Sequence, residues 1–454
     1  MDPPVGGRIH TEVYSNSGGG GRAFARVTIM ALVATTQRES ALGLVDRVVA
    51  SGLRGRGGGW FPAGLKWRAV RAEAGEPFVV ANGGEGEPGS IKDRYVMRRR
   101  PGDVIAGLVL AALAVEAREA VVYLKGAFDA AHAALSQALG RGDTRGVHVE
   151  IRRGADTYVA GEETAVLEAL EGRRAWPRPK PPLPAAVGFR GRPTLVQNVE
   201  TLSRVQAAST DPAAYRAGET TLVSLWGHVR RPGVYEVRLG TPLRRVIEEQ
   251  GGGAVDGVAM VFPGGPSAPP LAANQLDTAL DPDALLAAGA GLGTASVLVI
   301  GDAPCPVGIA ASLAAFFERE ACGQCPPCTM GTQNLARVLR AVEGGGARAK
   351  DLADLAEAAG FMSSHGYCAH ARTAARAVTG LLARFRADVE AHLQAGACPR
   401  AGAACDPFAD ASPERAATRM PRPSLSTTTS PSLHDSTRSQ PGASVMCPAR
   451  PPSK

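Results

Sequence analysis

From Glu39 the apolar positions Leu42, Val45, Val48 and Val49 recur at helical spacing as far as Ser51, and a glycine-rich stretch follows. The unbroken apolar run Phe78-Val79-Val80-Ala81 predicts a buried strand, and Val104 to Ala117 an apolar helix. Ala120 to Leu124 is a second strand, Phe128 to Leu139 a helix and Val147 to Ile151 a third strand. Strands alternating with helices imply an α/β layer built on a largely parallel sheet.

The pattern changes further on. Residues 173–193 are rich in Pro and Arg and read as a long ordered loop or a linker. Leu222 to Trp226 and Val234 to Val237, separated by Arg231-Pro232-Gly233, predict a hairpin. A short helix over Pro242 to Gln250 and a strand over Ser296 to Ile300 complete a small α+β unit. From Val307 the chain is helical with polar breaks. Residues 1–35, with Gly18 to Gly21 and no clear periodicity, read as flexible. Residues 399–454, full of Pro, Ser and Thr, read as a disordered tail.

A length of 454 residues allows two to four domains, and 44 % hydrophobic with 20 % charged residues is ordinary for a water-soluble protein. No run approaches the roughly 18 apolar residues of a membrane span, so no direct membrane insertion is expected. The N-terminus lacks the charged start and apolar core of a secretory signal. The net charge of +7 raises nucleic acid as a partner. However, the basic residues are scattered, with no aromatic-interleaved stripe, and no nucleic-acid binding is expected. Almost every cation is Arg. Three of the six lysines, Lys66, Lys92 and Lys180, fall in or near the motifs below, where a compact point charge is useful.

Eight cysteines are present, three of them crowded into Cys322-Gly323-Gln324-Cys325-Pro326-Pro327-Cys328. Three thiolates at intervals of three, with Cys368 as a remote fourth, suit a [4Fe–4S] cluster. Structural zinc, which usually takes two separate C-x-x-C pairs, is the alternative, and unmetallated thiols a third. Cys305 reads as a buried small hydrophobe, and Cys398, Cys405 and Cys447 as incidental. His365 and His370, which flank Cys368, read as solvent-facing or as donors to a cluster.

Three glycine-rich segments accompany the cysteines. Gly52 to Pro62, with Arg54, Arg56, Phe61 and Lys66 around it, could bring backbone N–H groups close to a phosphate, or be a plain surface loop. Asn82-Gly83-Gly84-Glu85-Gly86-Glu87-Pro88 follows a strand, where ligands of open α/β sheets bind; a solvated acidic turn is the other reading. Tyr158 to Ala165 starts a helix at a glycine turn, and Glu162 and Glu163 would favour that helix N-terminus with or without a ligand.

In combination and order these motifs resemble the F-type flavoprotein component of bacterial NADH–quinone oxidoreductase, a family whose relatives serve NAD-dependent formate dehydrogenases and hydrogenases. The resemblance spans about residues 45–395. It rests on Ser51 to Gly58 with Phe61-Pro62 and Gly64 to Trp67, on Gly86 to Ser90 with Lys92-Asp93-Arg94, on Gly161 to Ala165, and on the three-cysteine run. It implies a Rossmann-like α/β FMN and NADH domain over 36–205, a ubiquitin-like α+β (SLBB-type) domain over 218–302, and a helical [4Fe–4S] domain over 305–398. The implied activity is NADH dehydrogenase: NADH reduces FMN, and single electrons pass to the cluster and on to a partner.

By the same resemblance Gly55, Arg56, Gly57, Gly58 and Lys66 match the FMN loop. Asn82, Glu85, Tyr158, Gly161, Glu162, Glu163, Val196 and Asn198 match further FMN contacts, with Gln197 beside them. Phe61 and Glu87 match positions that touch NADH, and Lys180 lies nearby. Cys322, Cys325, Cys328 and Cys368 match the cluster ligands. No side chain takes a catalytic role beyond the bound flavin. Departures are Gly84 in place of an acidic residue, Gln197 for Asn, Trp60 for Gly, and Ala69 and Leu183 where the respiratory enzymes carry Phe near the adenine. An aromatic pair is worth about 1 kcal/mol, so the resemblance leaves open a paralogue fed by a donor other than NADH, and a non-enzymatic scaffold on the same fold. With no second cysteine cluster in the sequence, the expected partners are a [2Fe–2S] thioredoxin-like subunit and further electron-transfer subunits. The expected location is cytoplasmic, with attachment to the inner face of the membrane only through partners.

Overall fold

A computed structural model describes residues 41–400 together with Pro407 and Phe408; the flexible segment expected over 1–35 lies outside the described residues. Helices α1 (Ala41–Ser51) and α2 (Ala63–Arg71) flank the glycine loop. Then follow β1 (Phe78–Gly83), α3 (Lys92–Arg99), α4 (Pro101–Val115), β2 (Glu119–Lys125), α5 (Asp129–Leu139), β3 (His148–Gly154), α6 (Glu163–Leu170), β4 (Thr194–Asn198), α7 (Val199–Thr210) and α8 (Pro212–Ala217). The four strands form one parallel sheet in the order β3-β2-β1-β4. β1 and β2 are buried almost throughout, as strands covered on both faces must be, whereas edge strand β3 is largely half-buried or exposed.

That order fixes where a ligand can sit. The chain leaves β1 for β2 on one side and returns to β4 on the other. The crevice beyond the carboxyl ends of β1 and β4 is therefore the topological switch point. Asn82 and Asn198 are register partners at that edge. Beneath it α4 crosses α7 so closely that a Cβ on Gly107 would lie 1.9 Å from the Leu202 carbonyl oxygen. Only glycine permits that approach.

The second unit begins with the expected hairpin, β5 (Thr220–Gly227) and β6 (Gly233–Arg238). The helix expected over Pro242 to Gln250 is a single turn, Leu243–Arg245, which runs on as a π-helix over Val246–Gln250. Short strands β7 (Met260–Phe262) and β8 (Leu271–Ala272), a helical turn α9 (Pro282–Ala287) and β9 (Ser296–Ile300) complete a mixed sheet ordered β6-β5-β9-β7-β8. The third unit is helical: α10 (Pro306–Glu320), α11 (Pro326–Glu343), α12 (Ala349–His365), α13 (Ala369–Arg384) and α14 (Arg386–Ala395). The tail expected to be disordered over 399–454 lies outside the described residues except at 399, 400, 407 and 408, and at Phe408 the expectation needs correction. Phe408 is fully buried against Phe262 and Phe316, and its carbonyl accepts from Arg319 Nη2. A lone aromatic in a Pro/Ser/Thr stretch gives no periodic signal.

The first two units are held together by buried charge. Glu200, at the start of α7, accepts from Arg204 and from the Leu222 backbone N–H, and Lys92 Nζ lies 3.0 Å from it. Burial opposes its charge, but Lys92, Arg204 and Arg56 hold its pKa down to about 2. A carboxylate lowered from 4.5 stabilises the fold above about pH 4.5, and that contribution fades as pH falls toward 2. Glu200→Gln should therefore lower the urea midpoint at pH 7, where losing one partner of a buried ion pair costs roughly 3–5 kcal/mol. The gap from wild type should narrow at pH 3.5; a gap of constant size would refute the assignment.

Candidate functional site

The glycine loop is closed by backbone bonds, Gly55 N–H to the Phe61 carbonyl and Ala63 N–H to the Leu53 carbonyl, both 2.8 Å. It is pinned to α7 by Arg56 N–H donating to Thr201 Oγ1. Gly57 then faces the switch-point crevice, and a Cβ there would come within 3.3 Å of Asn198 Cβ. The Arg56 side chain points the other way. It is buried, donates to Glu219 at 2.6 Å and lies 4.2 Å over the Trp60 ring. Trp60, with φ of 51°, inserts into the core of the second unit and donates Nε1–H to the Gly293 carbonyl. The residue standing in place of a family glycine is thus a plug between units and does not line the crevice.

The crevice encloses about 240 Å³. From the sequence-derived set it brings together Gly57, Asn82, Glu85, Glu87, Tyr158, Gly161, Glu162 and Asn198. Asn82 donates to the Gly161 carbonyl and accepts from Gly84 N–H, so it ties the two glycine turns together. Their contact is close: a Cβ on Gly161 would meet the Gly84 carbonyl oxygen at 2.3 Å. Asn198 caps α7 by accepting from Glu200 and Thr201 N–H, and donates to Asp93. Gly55, Arg56, Gly58, Phe61, Lys66, Glu163, Lys180, Val196 and Gln197 do not line the crevice. Lys66 and Lys180 instead clasp Glu163, and Lys180 also reaches Glu162 on the rim. Burial opposes the Glu163 charge, but the two lysines hold it down to about 2.

Four carboxylates border the space, and among the described residues no Lys or Arg lines it. Three of them have cations behind them: Glu85 has Arg94, Asp93 has Lys92, and Glu162 has Lys180. Glu85 also accepts from Ser90 Oγ and Asp93 N–H, and so orders the loop that bears it. Glu87 differs. Its partners are Tyr158 OH and the Ser267 hydroxyl and N–H, and burial pushes its pKa up. The Gly57 turn meets Asn198, the cap of α7, in this lining. Two buried polar atoms of the lining, Thr294 Oγ1 and His370 Nδ1, have no hydrogen-bond partner. A concave site with a glycine turn and unused polar atoms in its lining suits a flavin mononucleotide.

The cysteines lie at one end of this space. Cys325 precedes α11 and Cys368 precedes α13, so both sit at helix N-termini. All four line one small cavity with Val159, Pro177, Tyr367 and His370. Burial pushes the Cys328 thiol up, and Cys368 to about 11. Cys325 and Cys328 are buried and Cys322 and Cys368 half-buried, and four thiols gathered in one cavity suit a cationic metal centre able to displace their protons. Val159, Pro177, Cys368 and His370 border both cavities and form a shared wall.

His370 corrects the solvent-facing expectation. It is 5 % exposed, and its Nε2 bonds the Phe317 carbonyl at 2.9 Å. His365 is exposed and stacks on Phe361. Cys398, read as incidental, is brought beside Cys305 and His392. Residues not assigned from the sequence also line the crevice. Ser90 and Asp93 lie within a quoted motif and were open to recognition. Thr294, with Ser267 behind it on Glu87, comes from the second unit, and no spacing could signal it.

Comparison with known proteins gives the same division. The family model of the Nuo51 FMN-binding domain matches residues 48–207, that of the SLBB domain 222–271, and that of the NADH-ubiquinone oxidoreductase-F iron-sulfur binding region 308–392. The chain is 39 % identical to the second of two NADH-quinone oxidoreductase F subunits of Rhizobium meliloti (strain 1021), over 88 % of this chain and 97 % of that one. It is 35 % identical to the NADH-quinone oxidoreductase F subunit of Rhodobacter capsulatus, over 79 % and 89 %. A crystal structure of an NAD+-reducing [NiFe]-hydrogenase in the H2-reduced state superposes with a TM-score of 0.73 at 35 % identity, covering 81 % of this chain and 65 % of that chain.

Proposed function

The chain belongs to the family of NADH-quinone oxidoreductase F subunits, and from that premise we propose which of its residues carry NADH oxidation and electron export. It is an NADH-binding FMN subunit with a [4Fe–4S] region that passes electrons to partner subunits. The observation that carries the residue assignment is the shared wall: Val159, Pro177, Cys368 and His370 border both the flavin crevice and the four-cysteine cavity. FMN bound in the crevice would accept a hydride from NADH and release its electrons one at a time toward the cluster.

Gly57 and Asn198 would hold the FMN phosphate. Asn82, Gly161 and Glu162 would line its length, and Thr294 and His370 would offer their free polar atoms to it. Arg56 and Gln197 serve this site from behind. Arg56 fixes the loop through Glu219, and Gln197 lies within β4. Cys322, Cys325, Cys328 and Cys368 would ligate the cluster. NADH would enter past Phe61 and Leu183, both more than half exposed, and meet Glu87. Glu87 has no cation partner among the described residues, and the nucleotide would share its oxygens with the donors Tyr158 and Ser267. The onward acceptor would be a [2Fe–2S] thioredoxin-like subunit, and any membrane association would run through such partners from the cytoplasmic side. Among the described residues no helix is long and apolar enough to cross a membrane.

The exposed aliphatic surface at Leu183 makes a measurable difference. An aromatic contact is worth roughly 0.5–1.5 kcal/mol, so Leu183→Phe should tighten NADH up to about tenfold with little change in the rate at saturation. Stopped-flow bleaching of the flavin by NADH, beside NADPH and reduced ferredoxin, is the measurement. If saturating NADH leaves the flavin oxidised while another donor bleaches it, the assignment of the site to NADH fails.

A further inference from the structure

Among the described residues one group of His, Cys and acidic side chains has its ligand atoms all within 4.8 Å of one another, and it is not the four-cysteine set. It is Cys305, His392 and Cys398. We propose that these three residues bind a single zinc ion, which staples the end of the helical unit to its beginning.

Cys305 stands immediately before Pro306, where α10 starts; His392 is on α14, and Cys398 lies just past the end of that helix. Cys305 and His392 are buried, and Cys398 is half-buried. Cys305 Sγ lies 3.3 Å from His392 Nε2. His392 Nδ1 lies 2.6 Å from the Asp388 carbonyl oxygen, an acceptor only, so Nδ1 carries the proton and Nε2 presents a lone pair to the sulfur. A ring nitrogen held by a backbone carbonyl, with the other aimed at the metal, is the usual support of a ligating histidine. Two thiolates and one imidazole suit zinc, with a fourth position for water. Binding releases the two thiol protons and involves no redox change.

Hydrogen bonds also draw the chain together around the site. Arg400 donates to the Asp302 and Pro304 carbonyls, just ahead of Cys305, and to Asp388 Oδ1 on α14. The segment bearing Cys398 is therefore held over the start of α10 by separate bonds. The site uses none of the four cysteines assigned to the cluster.

The test uses the full chain, purified anaerobically with its iron–sulfur cluster, incubated with zinc sulfate and desalted. Elemental analysis should find one zinc per chain beside an unchanged iron content. Zinc X-ray absorption should show two sulfurs at about 2.3 Å and nitrogen at about 2.0–2.1 Å. Cys398→Ser and His392→Ala should each cut zinc retention at least tenfold while iron stays constant. Four outcomes would each overturn the proposal: no retained zinc in the wild type, zinc indifferent to both substitutions, a shell of three or four sulfurs, or a Cys305–Cys398 disulfide in the anaerobic protein by alkylation and mass analysis. Should a variant lose iron as well, the absorption spectrum of wild-type zinc decides alone.

Discussion

Cys328→Ser should strip the protein of its acid-labile sulfide and visible iron–sulfur absorption, and reduce turnover with a one-electron partner acceptor by at least about 100-fold, the upper range for weakening even the residues behind a metal ligand. NADH should still bleach the flavin. The contrast follows from position. Cys328 lies in the first turn of α11, buried, with Thr332 bonded to its carbonyl, so a serine there keeps the helix and loses only the soft donor. Gly57, Asn82 and Asn198 line the crevice and not the four-cysteine cavity, so the flavin should stay bound. Retention of four sulfides per chain would refute the ligand assignment. Loss of both cofactors would refute the separability of the two cavities.

The second large effect is expected at Gly57. A Cβ there meets Asn198 Cβ at 3.3 Å, and Asn198 has little room to yield: it caps α7 with its oxygen and donates to Asp93 with its nitrogen. Valine must either uncap the helix, at about 1 kcal/mol, or push its branches into the crevice, where overpacking costs roughly 1–3 kcal/mol. Either cost should weaken FMN, by about five- to 140-fold at 1.4 kcal/mol per decade, and leave Gly57→Val depleted of flavin after gel filtration. Gly59→Val is the control. A Cβ at Gly59 has nothing within 4 Å, so this variant should keep its flavin. Equal flavin-to-protein ratios in the two variants would show that Gly57 does not line the phosphate end.

Elements with a long apolar signature were legible in the sequence. β1 and β2 are nearly continuous buried runs, and α4 is apolar on every side. What escaped was short or charged. β7 and β8 have three and two residues, too few to show a period. Helix α3 reads Lys-Asp-Arg-Tyr-Val-Met-Arg-Arg, yet Lys92 and Asp93 are buried, because Lys92 pairs with both Asp93 and Glu200. Pattern reading places such residues outside, and only a distant partner explains why they lie within. The same limit applied at the site. Motifs marked the crevice, but spacing could not reveal that Arg56 turns its back on it, or that His370 lies between the two cavities.

The insertion of Trp60 into the second unit bears on modularity. Three family models divide the chain cleanly, which suggests modules that could be exchanged. The contacts say otherwise. Trp60 fills a socket beneath Gly293, Arg56 ends on Glu219, Ile91 N–H bonds Ser224, and Glu87 takes both donors of Ser267. A chimera that takes its SLBB domain from a relative with glycine in place of Trp60 would face the loop with a filled socket. A flavin domain cut free near Ala217 would expose an indole and strand a buried guanidinium. The recombination boundary that preserves the flavin loop therefore lies beyond β9, near Gly301, and not between the first two family domains.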